Sequence, residues 1–259
     1  MNMAIQIKNL SFFYKERRVI DDLTIEIKTG KFYGIIGPNG CGKTTFVDLI
    51  TKHKKPVSGN ITYKGKDLSL YSKKELSMEI ALVPQNFYIN FPFTVEEIVM
   101  MGRYPYVPRF SAPSQDDYKV VYDIMEKTGI YKFKDRFITE LSSGERQRIV
   151  FVRALAQDTP VLILDEATSN LDVNYSLNLL NIAAQRVSKE KRTVIAVLQD
   201  INLAAIYCDY LLFIKQGSIV AHGNTDEILN RDTLQSVFNV DAKVYFEPYS
   251  DSMQVVFKK

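Results

Sequence analysis

The chain has 259 residues, of which 46% are hydrophobic and 24% are charged, and its formal net charge is +3. These values are ordinary for a soluble globular protein, and the charge is too small to indicate binding to nucleic acid. The two cysteines, Cys41 and Cys208, suggest neither a disulfide framework nor a metal site, which favours a reducing compartment. No apolar run approaches the roughly 20 residues that span a bilayer, so a function at a membrane requires another chain.

The sequence before about residue 85 predicts mainly strands. Two segments alternate polar and apolar side chains as half-buried antiparallel strands do, and a third is a short apolar run that ends in a glycine-rich turn. A helix is expected directly after this turn. The predicted strands cover residues 5–8, 23–27, 32–36, 61–63 and 80–83, and the helix covers about residues 43–51.

The pattern between about residues 85 and 160 is mostly helical, and strand runs separated by helices return after it. Strands that alternate with helices predict a parallel sheet covered on both faces, so the helical middle is expected to be an insertion carried on that sheet. The predicted helices cover residues 118–127, 145–156, 175–187 and 201–207, and the later strands cover residues 161–164, 193–198 and 210–214.

The glycine-rich turn matches the phosphate-binding pattern G-x-x-x-x-G-K-[ST], and it stands between a predicted strand and a predicted helix. Glycines let successive backbone N–H groups surround phosphates, and the helix adds the positive end of its dipole. Lys43 is expected to reach the β- and γ-phosphates and Thr44 to hold Mg²⁺. The alternative is a glycine turn that only caps a helix. The predicted nucleotide-binding residues here are Gly37, Pro38, Asn39, Gly40, Cys41, Gly42, Lys43, Thr44 and Thr45.

Two acids end the apolar run at residues 161–164. Beside a phosphate loop, Asp165 could hold the Mg²⁺ shell, and Glu166 could orient or deprotonate an attacking water. Acids often end strands, so this feature is weak alone and strong in combination with the loop.

The segment Leu141-Ser142-Ser143-Gly144-Glu145 is similar to the LSGGQ signature of the ATP-binding-cassette family, and the resemblance extends over nearly the whole chain. It implies an α/β fold, a P-loop NTPase (RecA-like) core with a parallel sheet, an N-terminal antiparallel β subdomain and an inserted α-helical subdomain. This single domain would cover residues 1–259, with the helical subdomain at about 86–159 and a short C-terminal extension at about 224–259. In the family, the signature contacts ATP held by the opposite subunit of a two-fold homodimer. Ser142, Ser143, Gly144 and Glu145 are therefore predicted ATP contacts.

Three further positions resemble functional residues of the family. Tyr14 looks like the aromatic residue that stacks on adenine, although a core or surface tyrosine is the alternative. Gln85 looks like the glutamine that touches Mg²⁺ or the attacking water and joins the site to the insertion. Asp172 looks like the aspartate that contacts the other subunit of the dimer.

The sequence departs from the family pattern at three positions. Gln199 stands where the family has a switch histidine; its amide can donate a hydrogen bond to the γ-phosphate but cannot carry charge. Ser143 replaces a glycine of the signature, and Ala167 stands where proline is usual. Gln199 is nevertheless predicted to support hydrolysis, with turnover that is slow. His53 and His222 are expected to be surface residues.

Within the family, residues 101–106, 197–204 and 233–241 resemble importers for iron–siderophore complexes, haem and cobalamin. The resemblance implies ATP and Mg²⁺ as cofactors, and as partners a second copy of the chain, a polytopic permease and, indirectly, a substrate-binding protein, with no nucleic acid. It places the chain at the cytoplasmic face of the cell membrane. Three alternatives remain: a subunit of another transporter class, a regulatory subunit that barely hydrolyses ATP, and a cassette protein outside transport.

Overall fold

The computed structural model describes residues 3–87, 89–169 and 171–258 in two compact units. The first unit comprises the chain up to Tyr71 and from Leu180 onward, and the second comprises Ser72–Leu179. The strands are β1 (Met3–Tyr14), β2 (Arg17–Lys28), β3 (Phe32–Ile36), β4 (Ser58–Tyr63), β5 (Lys66–Asp67), β6 (Ile80–Val83), β7 (Val161–Asp165), β8 (Thr193–Val197), β9 (Tyr210–Lys215), β10 (Ser218–Asn224), β11 (Ala242–Glu247) and β12 (Ser252–Phe257). The helices are α1 (Lys43–Ile50), α2 (Lys73–Glu79), α3 (Val95–Met100), α4 (Gln115–Lys127), α5 (Ser143–Ala156), α6 (Val173–Ser188), α7 (Ile201–Tyr207), α8 (Thr225–Ile228) and α9 (Arg231–Phe238).

An antiparallel sheet in the first unit has the strand order β2-β1-β4-β5. Alternate side chains of β1 and β2, such as Ile5, Ile7 and Ile25, are buried, while their neighbours reach solvent. Burial that alternates with every second residue is expected for a sheet with one face packed on the core and the other exposed to solvent. The predicted N-terminal antiparallel subdomain is therefore confirmed.

The first unit also contains β3 between β8 and β9, and both neighbours run parallel to β3. Every residue of β3 and β8 is buried, as expected for parallel strands covered on both faces. The N–H of Leu198 donates to the carbonyl of Ile35 at 3.2 Å, so β3 and β8 end at the same edge. This edge carries the glycine-rich loop after Ile36 and Gln199 two residues after Val197.

The second unit contains the parallel pair β6 and β7 and the helices α2 to α5. A hydrophobic cluster joins α3, α4 and α5 and includes Ile98, Val121 and Ile149. The guanidinium of Arg103 donates to the Asp117 carboxylate at 3.0 Å and to the Ala156 carbonyl at 2.9 Å. This largely buried ion pair is satisfied at both ends, which fixes α4 against the end of α5.

The strands β11 and β12 form a two-stranded antiparallel hairpin in the first unit. The hairpin packs on α7 through Asn202, whose side chain bonds to the backbone of Val255. In the described part of the chain, no helix is long and apolar enough to cross a membrane.

The predicted α/β class and its parallel strands are confirmed, and β3 and β6 begin and end at the predicted residues. The prediction did not include several short elements, namely α2, α3, α8, α9, β5, β10, β11 and β12. His53 and His222 are exposed, as expected.

Candidate nucleotide-binding site

The glycine-rich loop joins β3 to α1, and two of its glycines lie where a side chain does not fit. A Cβ on Gly37 would come within 2.1 Å of the Ile214 carbonyl oxygen. Gly42 has φ of 111°, which is unfavourable for other residues, and a Cβ there would lie 2.7 Å from the Val19 carbonyl oxygen. The loop carbonyl at Cys41 accepts the N–H of Gly217 at 3.0 Å. The backbone of the loop is thus held closely by β9 and the turn that follows it.

Lys43 is the first residue of α1, and it is buried, with only 5% of its surface exposed. Its ammonium donates to the carbonyls of Gly37 at 2.8 Å and Pro38 at 3.1 Å. These bonds wrap the lysine around the inside of the loop, where its charge would meet a bound phosphate. Thr44 is exposed and Thr45 is buried.

Asn39 and Gly40 are the exposed tip of the loop, whereas Cys41 is buried. Burial raises the pKa of the Cys41 thiol, and the charge of Lys43 opposes this effect only in part. The thiol is therefore a packing group in this structure, and the backbone of Cys41 is the part that could contact phosphate.

Tyr14 ends β1, and 46% of its surface is exposed. Its ring packs edge-on against Phe12 at 5.0 Å, and the ammonium of Lys54 lies 5.6 Å from its centre. Lys54 is also paired with Asp48 of α1, and this hydrogen bond is the main reason that the pKa of Lys54 is raised. An exposed ring held from one side can stack on a base with the other. Lys54 lies 40 residues from Tyr14 and carries no sequence signal that would place it beside this ring.

Gln199 is exposed and lies between two anchored residues. Leu198 bonds to β3, and the Asp200 carboxylate caps α7 by accepting the N–H groups of Asn202 at 2.8 Å and Leu203 at 3.0 Å. The loop and Gln199 thus follow neighbouring parallel strands at one edge, which is where ligands bind in open α/β sheets.

In the second unit, Asp165 ends β7 and Glu166 follows it, and both are buried. The amide of Gln85 donates to the Glu166 carboxylate at 2.7 Å, so the structure brings two predicted catalytic residues together. Glu166 has φ of 49°. Among the described non-glycine residues with positive φ, it is the only buried one. Backbone strain of this kind concentrates at functional sites because the surrounding structure imposes it.

Asp172 is exposed just before α6, and its carboxylate accepts the N–H of Tyr175 at 2.9 Å. The guanidinium of Arg148 stacks on the ring of Tyr175 at 4.3 Å, which ties α5 to α6. Asp172 is predicted to contact the other subunit of a dimer, and within this chain its carboxylate caps the helix. Asn170, between Asp165 and Asp172, lies outside the described residues.

The signature segment forms the N-terminus of α5, where Ser142 and Glu145 make a reciprocal capping box. The Ser142 hydroxyl accepts the Glu145 N–H at 3.3 Å, and the Glu145 carboxylate accepts the Ser142 N–H at 2.9 Å. The Ser142 hydroxyl also lies 2.9 Å from that carboxylate. The bond from the Ser142 backbone is the main cause that lowers the pKa of Glu145. Ser143 and Gly144 form the first turn of the helix.

The described residues contain no cluster of three His, Cys, Asp or Glu side chains placed to hold a metal ion. The predicted Mg²⁺ ligands are a hydroxyl, an amide and a carboxylate from Thr44, Gln85 and Asp165. Such a mixed oxygen set suits an ion that keeps waters and binds substrate phosphates rather than sitting in a protein cage. The donor chemistry therefore fits Mg²⁺ that arrives with a nucleotide.

A buried parallel strand, a loop closed by glycines and a buried lysine at the start of a helix define a P-loop nucleotide-binding protein. The family follows from similarity to known proteins. The model of the ABC transporter family matches residues 20–169. The iron(3+)-hydroxamate import ATP-binding protein of Bacillus subtilis is 32% identical over 245 residues, which are 95% of this chain and 91% of the relative. The chain belongs to the ABC transporter family.

Two further proteins are similar to this chain. The cobalamin import ATP-binding protein of Halobacterium salinarum is 36% identical over 253 residues, and the match spans 98% of this chain but 63% of that relative's length. Among solved structures, a chain of an ABC transporter assigned to the metal-chelate type, in an inward-facing conformation, is similar with a TM-score of 0.86. It is 27% identical, and the match covers 100% of this chain and 98% of that one.

Proposed function

We propose that this chain is the ATP-binding and ATP-hydrolysing subunit of an ABC importer, and that hydrolysis drives uptake of a metal chelate: an iron–siderophore complex, haem or cobalamin. The observation that carries the hydrolytic part is the hydrogen bond from the Gln85 amide to the Glu166 carboxylate. The backbone of Glu166 is held in a strained conformation with positive φ. The substrate class rests on the import proteins for cobalamin and iron(3+)-hydroxamate to which the chain is similar.

In this proposal the loop binds the triphosphate. The backbone N–H groups of residues 40–44 and the ammonium of Lys43 surround the β- and γ-phosphates, so Lys43 exchanges its two carbonyl partners for phosphate oxygens. Tyr14 stacks on adenine with its exposed face. Gln199 donates a hydrogen bond from its amide to the γ-phosphate. Phosphoryl transfer needs mainly such positioning and charge stabilisation.

Glu166 orients the attacking water and accepts its proton, while Gln85 holds the carboxylate in place. Thr44, Asp165 and Gln85 would hold Mg²⁺, which supplies positive charge to the phosphates when it is bound. The strained backbone at Glu166 supports this role, since an ordinary strand end does not require it.

The remaining roles require partners. Ser142, Ser143, Gly144 and Glu145 of one copy contact the ATP held by a second copy, and Asp172 contacts that copy as well. ATP then favours the closed homodimer because it contacts both subunits only in that state. A polytopic permease anchors the pair at the cytoplasmic face of the membrane and receives substrate from a binding protein.

A phosphate-release assay on the purified chain with MgATP tests the hydrolytic function. The parent releases phosphate, and Glu166→Gln binds ATP but releases phosphate about 100- to 10,000-fold more slowly, because the amide cannot accept a proton. Glu126→Gln, on the exposed face of α4, is the matched control and retains the parental rate. Phosphate release that survives Glu166→Gln removes the catalytic assignment. If phosphate release from the parent chain is too slow to measure, the chain is better described as a regulatory subunit. This alternative is consistent with Gln199, whose amide cannot carry the charge of the family's histidine.

Uptake measurements in a strain that lacks this gene test the substrate class. Labelled ferric siderophore, haem and cobalamin are offered separately to cells that carry the parent chain or Glu166→Gln. One of the three is expected to enter only with the parent. If none of the three depends on the chain, the metal-chelate assignment is wrong, while the ATPase assignment stands on the phosphate assay.

A further inference from the structure

The side chain of Asn202 joins α7 to the hairpin formed by β11 and β12. Its amide donates to the Val255 carbonyl at 3.3 Å, and its oxygen accepts the Val255 N–H at 2.7 Å. One side chain thus satisfies both backbone polar groups of Val255, as a neighbouring strand would. Val255 is only 4% exposed, so both groups would be costly to leave unpaired.

The backbone of Asn202 is fixed as well. Its N–H donates to the Asp200 carboxylate at 2.8 Å, within the cap that begins α7. On the other side of Gln199, the N–H of Leu198 bonds to β3. Gln199 therefore lies between one anchor in the parallel strands and a second at the start of α7, the turn that the Asn202 side chain attaches to the hairpin.

The hairpin is bound to α7 and is not a free flap. Its six cross-strand pairs extend from Ala242 with Phe257 to Glu247 with Ser252. A two-stranded hairpin is at best marginally stable alone, so it needs a surface to pack on. That surface includes α7, the short helix that Gln199 precedes, which packs on β12, while α9 packs on β11.

We propose that Asn202 is a positioning residue for Gln199 and that the hairpin is the support on which it acts. This inference rests on the proposed function of the chain, in which Gln199 donates to the γ-phosphate. Asn202 itself touches no nucleotide. Without the bonds from Asn202 to Val255, the first turn of α7 can shift. The Gln199 amide is then positioned less often for its hydrogen bond to the γ-phosphate. The rate of hydrolysis then falls, whereas ATP affinity, which the loop and Lys43 provide, changes little.

A double-mutant cycle tests this coupling by phosphate release from the full-length chain. Asn202→Ala is expected to lower kcat about tenfold with KM within about twofold, since small misplacements of a catalytic group cost this much or more. In a Gln199→Ala background the same substitution is expected to cost less than about twofold, because the residue it positions is already absent. Tyr207→Phe is the matched control: it removes the bond to Asn181, 3.0 Å long, at the other end of α7. This control keeps the parental kcat in both backgrounds.

A residue that only stabilises the fold gives different results. Equal losses of kcat from Asn202→Ala in both backgrounds would overturn the proposal, as would a loss confined to KM. Gln199→Ala with the parental rate would overturn it too, since Asn202 would have nothing to position. If Asn202→Ala does not fold by circular dichroism, the cycle is run with Asn202→Asp, which keeps the acceptor for the Val255 N–H. A parent chain that releases no phosphate refutes the proposed function and this inference with it, whereas an additive cycle in an active chain refutes only the inference.

Discussion

Two helices of this chain begin at predicted phosphate contacts, and their first turns are completed in different ways. Within the described residues, no side chain caps α1, which starts after Gly42. In contrast, α5 is capped by its own Ser142 and Glu145. The first turn of a helix leaves N–H groups that need an acceptor. The start of α1 therefore offers its donors to a ligand, whereas the start of α5 already has an internal anion.

This difference indicates that the two segments contribute unequally to binding. The loop before α1 is shaped by glycines and holds a buried lysine, so we expect it to bind phosphate by itself. The start of α5 carries a carboxylate next to the serine that is predicted to touch phosphate. We therefore expect it to serve as a second contact, after the first site is filled. The following predictions test this inequality.

The largest effect is expected from two glycines of the loop. Gly37→Ala forces a Cβ against the Ile214 carbonyl and the Cys41 sulfur, 2.1 and 2.8 Å away, so the loop must shift. Overpacking of this kind costs about 1–3 kcal/mol, so ATP affinity should fall about 10- to 100-fold. Equilibrium binding of a fluorescent ATP analogue measures this loss. Gly40→Ala meets open space and pays only for its positive φ, about 1 kcal/mol, so its loss should stay near fivefold or less. Equal losses would mean that crowding does not shape the loop.

A second prediction separates capping from catalysis at α5. Ser142→Ala should lower the free energy of unfolding by about 1 kcal/mol through loss of the cap. It should also lower the ATPase rate about tenfold, as loss of one charge-assisted hydrogen bond to phosphate does. Ser114→Ala is the matched control, because Ser114 caps α4 through the same box with Asp117. The control should lose similar stability and keep its ATPase rate. If both variants hydrolyse at the parental rate, Ser142 is only a cap.

The third prediction concerns the charge at α5. Glu145→Gln keeps the shape of the box and removes a negative charge, so the apparent KM for ATP should fall about threefold at low salt. Because the pKa of Glu145 is lowered in the folded chain, its carboxylate stabilises the fold above its ordinary pKa. That contribution is lost as the pH falls through the lowered value. The parent should thus unfold at a higher temperature than Glu145→Gln at pH 7, and the difference should vanish once the pH lies below the lowered pKa of Glu145. A difference that persists in acid would contradict the assigned charge.

The last prediction concerns the cysteine inside the loop and requires no substitution. A helix N-terminus usually lowers a thiol pKa, but burial raises that of Cys41. Burial also raises the pKa of Cys208. Iodoacetamide at pH 7 should therefore label the folded chain at least about tenfold more slowly than it labels free cysteine. Unfolding in guanidinium should restore labelling of both thiols. Fast labelling of Cys41 in the folded chain would show that the loop opens.

The loop and the buried strands could be predicted from the sequence because their signals are local. The glycine spacing specifies the turn, and apolar runs such as residues 32–36 specify covered strands. The hairpin of β11 and β12 could not be predicted in this way. Its strands mix charged and apolar residues, and Asn202 completes it from 53 residues away.

Contacts of individual site residues could not be predicted either, because they depend on residues that are distant in the sequence. Glu166 was predicted from the acids that end an apolar run and Gln85 from its resemblance to the family, but neither their hydrogen bond nor the φ of Glu166 follows from local pattern. The ion pair between Lys54 and Asp48 beside Tyr14 was likewise invisible, because it depends on how α1 ends. Long-range packing decides these features.

The left-handed backbone at Glu166 creates a conflict between thermal stability and catalysis at a single residue. A residue with a Cβ pays about 1–2 kcal/mol to adopt this conformation, and glycine does not. Glu166→Gly should thus relieve the strain while removing the carboxylate. Laboratory evolution that selects only for thermal stability would tend to replace this glutamate. Variants that keep it would have to gain stability from substitutions elsewhere in the chain.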